Sequence, residues 1–240
     1  MQLPPGWELP EAIRNRLGER SGKQRAMIED GHLLLILHKL PRPDVMTREG
    51  AFFWRDDKGD WKASGGGGGL GVLKAHLEAY ERAVDALDTQ LDKAQDATTL
   101  FRVLEAAAPL HRAAKNQHAA LQAARDALPD LRELISPRDA AADIDRASEL
   151  LEIDARNALD YRIARQSEEQ NRLTLDMTRT GHRLNLLAAL FLPLTAIASV
   201  FGMSLPSGLE TSPIWVFWSV LIFGLLIGFL LRGLFGKENK

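Results

Sequence analysis

Apolar and polar positions are unevenly spread along this chain. From Leu184 to Leu209 no residue is charged, and from Thr211 to Leu231 again none is. A helix needs roughly 20 apolar residues to cross a bilayer. Leu184–Met203 (LNLLAALFLPLTAIASVFGM) meets that length, and Ile214–Leu231 (IWVFWSVLIFGLLIGFLL) comes close to it. The turn-forming stretch SLPSGLETSP separates them. The pattern predicts a hairpin of two membrane spans, since a buried soluble helix of this length normally carries charge on one face.

Upstream the pattern changes. Residues 10–30 mix charge with apolar positions and suit one or two short helices. His32–Leu40 (HLLLILHKL) reads as a buried strand. Ala51–Arg55 and Asp60–Ala63 flank Asp56-Asp57-Lys58-Gly59, a hairpin turn. Residues 1–64 are therefore read as a small cytoplasmic α/β unit with a three-stranded sheet. It is too small for a sizeable core and should lean on the helices that follow. Residues 65–71 are glycine-rich. A phosphate-binding loop would need a Lys-Ser/Thr pair, and Leu70-Gly71-Val72 follows instead, so the run is read as a linker.

From Val72 to Leu128 the chain is rich in Ala, Leu and charge, which predicts helix divided at Pro109 and ended by Pro129. Residues 72–136 form this cytoplasmic helical region. Ser136-Pro137-Arg138-Asp139 is a helix start, with Ser at the cap and Pro at the first position. Residues 137–203 then read as one helix, a cytoplasmic stalk running into the first span, roughly 100 Å long at 1.5 Å per residue. Residues 204–213 form an external loop, 214–231 the second span, and 232–240 a basic tail.

Charge orients the hairpin. Arg179, His182 and Arg183 precede the first span, and Arg232, Lys237 and Lys240 follow the second. The connecting loop has no Lys or Arg. Both termini are placed in the cytoplasm, in a multi-pass protein of the inner (plasma) membrane. Trp215 and Trp218 fall at the outer end of the second span, where aromatic belts occur. The N-terminus has no apolar core and is not read as a signal peptide.

Composition adds exclusions. The 240 residues carry 30 Lys and Arg against 32 Asp and Glu, and no cysteine. That excludes a disulfide scaffold and a Cys-based zinc site, and it gives no sign of a nucleic-acid partner. The near-neutral balance averages an acidic body with a nearly charge-free end. The six histidines show no short-range ligand spacing, so no structural zinc site and no resident cofactor are expected. No nucleophile–base spacing or nucleotide loop points to an enzyme.

On the long helix, Ile144, Leu151, Ala155, Ala158, Arg162, Arg165 and Leu173 recur at three- and four-residue steps, a broken heptad pattern. Toward the span it turns polar, with Ser167, Asn171, Thr174 and Thr178. Two readings stand: a solvated face, or the lining of a water-filled tube made by several copies. Continuing the stripe gives Gly181, Leu184 or Asn185, Ala188, Leu192, Thr195, Ser199 and Gly202. A narrow apolar collar with polar rings suits a gated pore. One two-span chain cannot enclose a pore, so this reading requires a homo-oligomer.

The stretch Phe191-Leu192-Pro193-Leu194-Thr195-Ala196-Ile197-Ala198-Ser199-Val200-Phe201-Gly202-Met203-Ser204 resembles the end of the first transmembrane helix in the CorA family of divalent-cation channels and transporters. There a Pro-Leu-Thr segment is followed at this spacing by an aromatic-Gly-Met-Asn signature. Two C-terminal spans, a short outer loop, a long stalk and a basic tail match as well. The resemblance covers residues 138–240 and makes this a shortened member. It implies a mainly α homopentamer with the first span around the axis. It also implies passive passage of Mg²⁺, or of Zn²⁺, Co²⁺ or Ni²⁺. By position, Gly202 and Met203 match the pore mouth, and Ser204 stands where the family has Asn. A serine hydroxyl is shorter than an Asn carbonyl and reaches less far toward the waters of a hydrated cation. Glu210 either attracts cations to the mouth or is an ordinary loop charge. The resemblance also implies internal Mg²⁺ sensing at carboxylates between protomers. Asp139, Asp143, Asp145, Glu149, Glu152, Asp154, Asp160, Glu168, Glu169 and Asp176 are available, most of them beside Arg or Lys. A non-conducting membrane scaffold or modulator is the alternative function.

Overall fold

The computed structural model describes residue 4 and residues 6–18, 22–42, 49–202 and 213–235. The chain is mostly helical, with a small N-terminal sheet and one very long helix. It divides into a body, residues 1–164, and a second unit, residues 165–240.

In the body a short helix α1 (Glu11–Arg14) precedes four strands, β1 (Arg25–Glu29), β2 (His32–His38), β3 (Gly50–Arg55) and β4 (Trp61–Ala63). They form an antiparallel meander in the order β1-β2-β3-β4. The sheet has four strands where sequence pattern predicted three. The extra strand, β1, pairs with β2 across Asp30-Gly31, which take φ of 49° and 78°. That is the two-residue turn whose twist matches a hairpin. The β3–β4 turn closes as expected, with Asp56 N–H donating to Asp60 O at 3.0 Å and Gly59 at φ 97°.

β2 is almost wholly apolar because both faces of the sheet are covered. Leu33, Leu35, Leu37, Ala51 and Phe53 face the large core shared with the helices. Leu34, Ile36, Phe52 and Trp54 face a second cluster with Leu9, Ile13 and Met27. The N-terminal segment thus caps the sheet, and the helices cover its other face.

α2 (Gly69–Lys93) and α3 (Ala97–Ala127) follow. The break between them lies at residues 94–96, not at Pro109, which sits inside α3. Asp96 makes the break: its carboxylate accepts from Thr99 N–H at 2.9 Å and from the Thr99 hydroxyl at 2.7 Å, a side-chain N-cap. Proline removes one helix hydrogen bond, but Ala107, Leu110, Ala113 and Ala114 around it are buried and hold α3 together.

The glycine run is a packed turn. Gly66 and Gly67 adopt φ of 79° and 81°, and Gly66 N–H bonds Ala63 O. A Cβ on Gly69 would lie 2.5 Å from the Lys62 nitrogen. Only glycine lets α2 start against the backbone of β4.

A 3₁₀ turn (Arg132–Leu134) leads into α4 (Ile135–Gly202), 68 residues long. The helix begins one residue before Ser136, so Pro137 sits in its first turn, where a missing N–H costs nothing. Leu134, Ala141, Ile144, Leu151 and Ala155 join the body core. The early heptad positions therefore pack within the same chain. Beyond Ala155 no described side chain of α4 is buried.

Candidate ion-conduction site

The second unit holds the remainder of α4 and α5 (Ile214–Phe235). Among the described residues, α4 is the one helix both long and apolar enough to cross a membrane; Ile214–Leu230 is a shorter apolar helix. Large side chains on both are exposed, including Leu184, Leu187, Phe191 and Leu192 on α4 and Trp215, Phe217, Trp218 and Phe223 on α5. An apolar surface of that extent marks contact with lipid or protein.

Thr178, Gly181, Leu184, Ala188, Leu192, Thr195 and Ser199 all lie on α4, which Gly202 ends. At 3.6 residues per turn their steps keep them within about a third of the helix circumference, with Ile197 opposite. The seven are exposed or half-buried. Met203, Ser204 and Glu210, expected at a pore mouth and in an outer loop, lie outside the described residues.

Three threonines on this helix share one arrangement. Thr174 Oγ1 donates to Gln170 O at 2.9 Å, Thr178 Oγ1 to Thr174 O at 2.8 Å, and Thr195 Oγ1 to Phe191 O at 2.8 Å. Each hydroxyl hydrogen is turned into the helix, so the free lone pairs are what the oxygen offers outward. Such an oxygen accepts hydrogen bonds. A hydrated divalent cation presents water hydrogens and needs acceptors around it, and Mg²⁺ keeps most of its waters.

Five of the ten α4 carboxylates named above pair along their own helix. Glu149 pairs with Arg146, Glu152 with Arg156, Glu168 with Arg172 and Asp176 with Arg179. Asp139 meets Arg138. Among the described residues no group of three or more His, Asp or Glu side chains is placed to hold a metal ion.

One constellation leaves no trace in the local sequence pattern. His111 and His118 on α3 face Glu152 and Asp145 on α4 at 2.8 and 3.0 Å. Its only sequence signal is a shared spacing of seven residues, which means nothing until α3 and α4 are known to pair.

The family model described as CorA-like Mg²⁺ transporter protein matches residues 71–236, from α2 to the end of α5. The chain belongs to the CorA-like Mg²⁺ transporter family. Its fold resembles that of the full-length CmaX protein, with a TM-score of 0.56 and 16% identity over 95% of this chain and 83% of that one. It also resembles the ZntB cytoplasmic domain from Vibrio parahaemolyticus RIMD 2210633, with a TM-score of 0.54 and 11% identity over 67% of this chain and 80% of that one. At these identities the likeness is one of fold. A search of curated proteins gives no match. The family match includes the stretch from Phe191 to Ser204 on which the resemblance rested.

Proposed function

We propose that this CorA-like chain assembles as a homopentamer and passes divalent metal cations through the membrane. Mg²⁺ is the foremost cargo, with Zn²⁺, Co²⁺ and Ni²⁺ as alternatives. Five copies of α4 surround the axis, and α5 forms an outer ring as the second span. The activity is passive transport rather than catalysis, driven by the membrane potential, which favours entry of a doubly charged cation by about 2.3 kcal/mol per charge at 100 mV. Both termini lie in the cytoplasm. Residues 204–213 form the outer loop, and 232–240 a basic tail on the inner face.

The observation that carries this reading is the α4 stripe. Its threonine hydroxyls spend their hydrogens inside the helix and leave acceptors outward. Thr178 and Thr195 would form acceptor rings, with Leu184, Ala188 and Leu192 as the collar between them and Ser199 nearer the mouth. Gly202, Met203 and Ser204 would form the mouth itself, and Glu210 would raise the cation concentration near it.

Native mass spectrometry of the detergent-purified protein tests the assembly. Five copies of the 26.6 kDa chain are expected. A monomer or dimer that persists in lipid nanodiscs contradicts the pore, because too few copies of α4 are present to enclose one.

Ser204 favours a second reading, a non-conducting membrane scaffold or modulator. A mouth ring of short hydroxyls holds a hydrated ion less well than a ring of amide carbonyls. Restoring Asn at this position separates the two readings.

A further inference from the structure

His111 and His118 lie seven residues apart on α3, and Asp145 and Glu152 seven apart on α4. Seven residues make about two helical turns, so each pair lines one stripe. The contacts run in reverse order along the two helices, which are therefore antiparallel here. His111 Nδ1 is 2.8 Å from Glu152 Oε2, and its Nε2 is 3.9 Å from Asp145 Oδ1. His118 Nδ1 is 3.0 Å from Asp145 Oδ2. Arg156 Nη2 closes the row on Glu152 Oε1 at 2.9 Å. All four side chains of the ladder are between 17% and 30% exposed.

The proton count of this row is incomplete when the histidines are neutral. A neutral imidazole has one N–H, yet each nitrogen of His111 faces a carboxylate. With both rings neutral, Arg156 is the one Lys or Arg within ion-pair distance of these two carboxylates among the described residues. Protonation gives His111 a donor for each carboxylate and makes the His118–Asp145 bond charge-assisted, roughly twice as strong as its neutral form. Histidine is the side chain that changes charge between about pH 5 and 8. A single metal ion cannot use both nitrogens of His111.

We propose that this ladder is a proton-operated clasp between α3 and α4, tightened when His111 and His118 are protonated and loosened when they are neutral. Its position gives it leverage. Ala155, one turn beyond Glu152, is the last buried residue of α4 among the described side chains. The clasp therefore grips the final packed turns of the helix that continues to the candidate pore stripe. It goes beyond the transport reading and stands independently of it.

Other charges near the ladder set the controls. On α3, Arg112 and Lys115 are exposed neighbours of the histidines. On α4, Ser148 lies between the two carboxylates and bonds Asp145 O. On α2, His76 pairs with Gln117 next to His118, and its titration acts in the opposite direction. The informative quantity is therefore a difference between variants.

Thermal melting of the purified full-length protein from pH 8.0 to 5.5 tests the clasp. The comparison is wild type against His111→Gln/His118→Gln, with Glu152→Gln as a second variant should the first not fold. The melting advantage of wild type over either variant is expected to be several degrees larger at pH 5.5 than at pH 8.0. An advantage that stays constant across the series overturns the clasp. So does a zinc-dependent rise in wild-type melting at pH 7.5 that the double variant lacks, which would make the ladder a metal site.

Discussion

Thr195 donates its hydroxyl hydrogen to the carbonyl oxygen of Phe191, 2.8 Å away and one turn earlier on α4. The bond fixes the hydroxyl and leaves its lone pairs facing off the helix. Thr195→Val keeps the shape and removes the acceptor, whereas Thr195→Ser keeps it. A hydrogen bond to a charged or strongly polarised partner is worth about 1.5 kcal/mol or more, roughly tenfold in rate. Mg²⁺ uptake by the Val variant should fall about tenfold, the Ser variant should stay near wild type, and Ile197→Val on the opposite face should change little. Equal effects at 195 and 197 in a fluorescent Mg²⁺ uptake assay would place the pore on another face.

Ser204 is the one departure from the family's Gly-Met-Asn pattern at the proposed pore mouth. Ser204→Asn lengthens the acceptor and should raise the apparent affinity for Mg²⁺, read as a lower half-saturating concentration in the same assay. Flux that appears only in the Asn variant would favour the scaffold reading.

Gly69 tests the packing of the body. A Cβ there meets the Lys62 backbone at 2.5 Å, while one on Gly65 meets nothing within 4 Å. Overpacking of this kind costs about 1–3 kcal/mol. Gly69→Ala should lower the melting temperature by several degrees and Gly65→Ala should leave it nearly unchanged, as scanning calorimetry can check.

His76 predicts an acid sensitivity. Packed between Phe53 and Tyr80, its imidazole is held below the ordinary histidine value by burial, which outweighs the opposing hydrogen bond to Gln117. The unfolded chain then binds a proton that the folded chain refuses. The contribution of His76 to stability is full above the ordinary value of about 6.5 and is lost as pH falls toward the depressed one. Replacing it (His76→Gln) should flatten that part of a stability–pH profile. An unchanged slope below pH 6.5 would show that His76 is protonated in the folded protein.

How much of this was legible depended on range. β2, the β3–β4 turn and the long helix follow from local pattern, and α4 begins two residues before its expected start at 137 and runs through the described residues to Gly202. β1 is hidden in the local pattern although Asp30-Gly31 is a strong hairpin signal, because the surrounding charges in residues 10–30 suit helix. Pro109 misled because burial of its neighbours, a tertiary effect, decides whether a proline breaks a helix. The glycine run looked like a spacer because its close approach to β4 involves residues already past in the chain. Helical spacing alone puts the seven stripe residues on one face of α4. The imidazole–carboxylate ladder is not legible in that way, since it exists only where α3 and α4 pair.

Reconstitution into Mg²⁺-free proteoliposomes with an indicator inside, and a potassium gradient set by valinomycin, measures the central claim directly. The account predicts Mg²⁺ entry that depends on an inside-negative potential and that Thr195→Val reduces. Correctly assembled oligomers that pass no Mg²⁺, Zn²⁺, Co²⁺ or Ni²⁺ at any potential would contradict it.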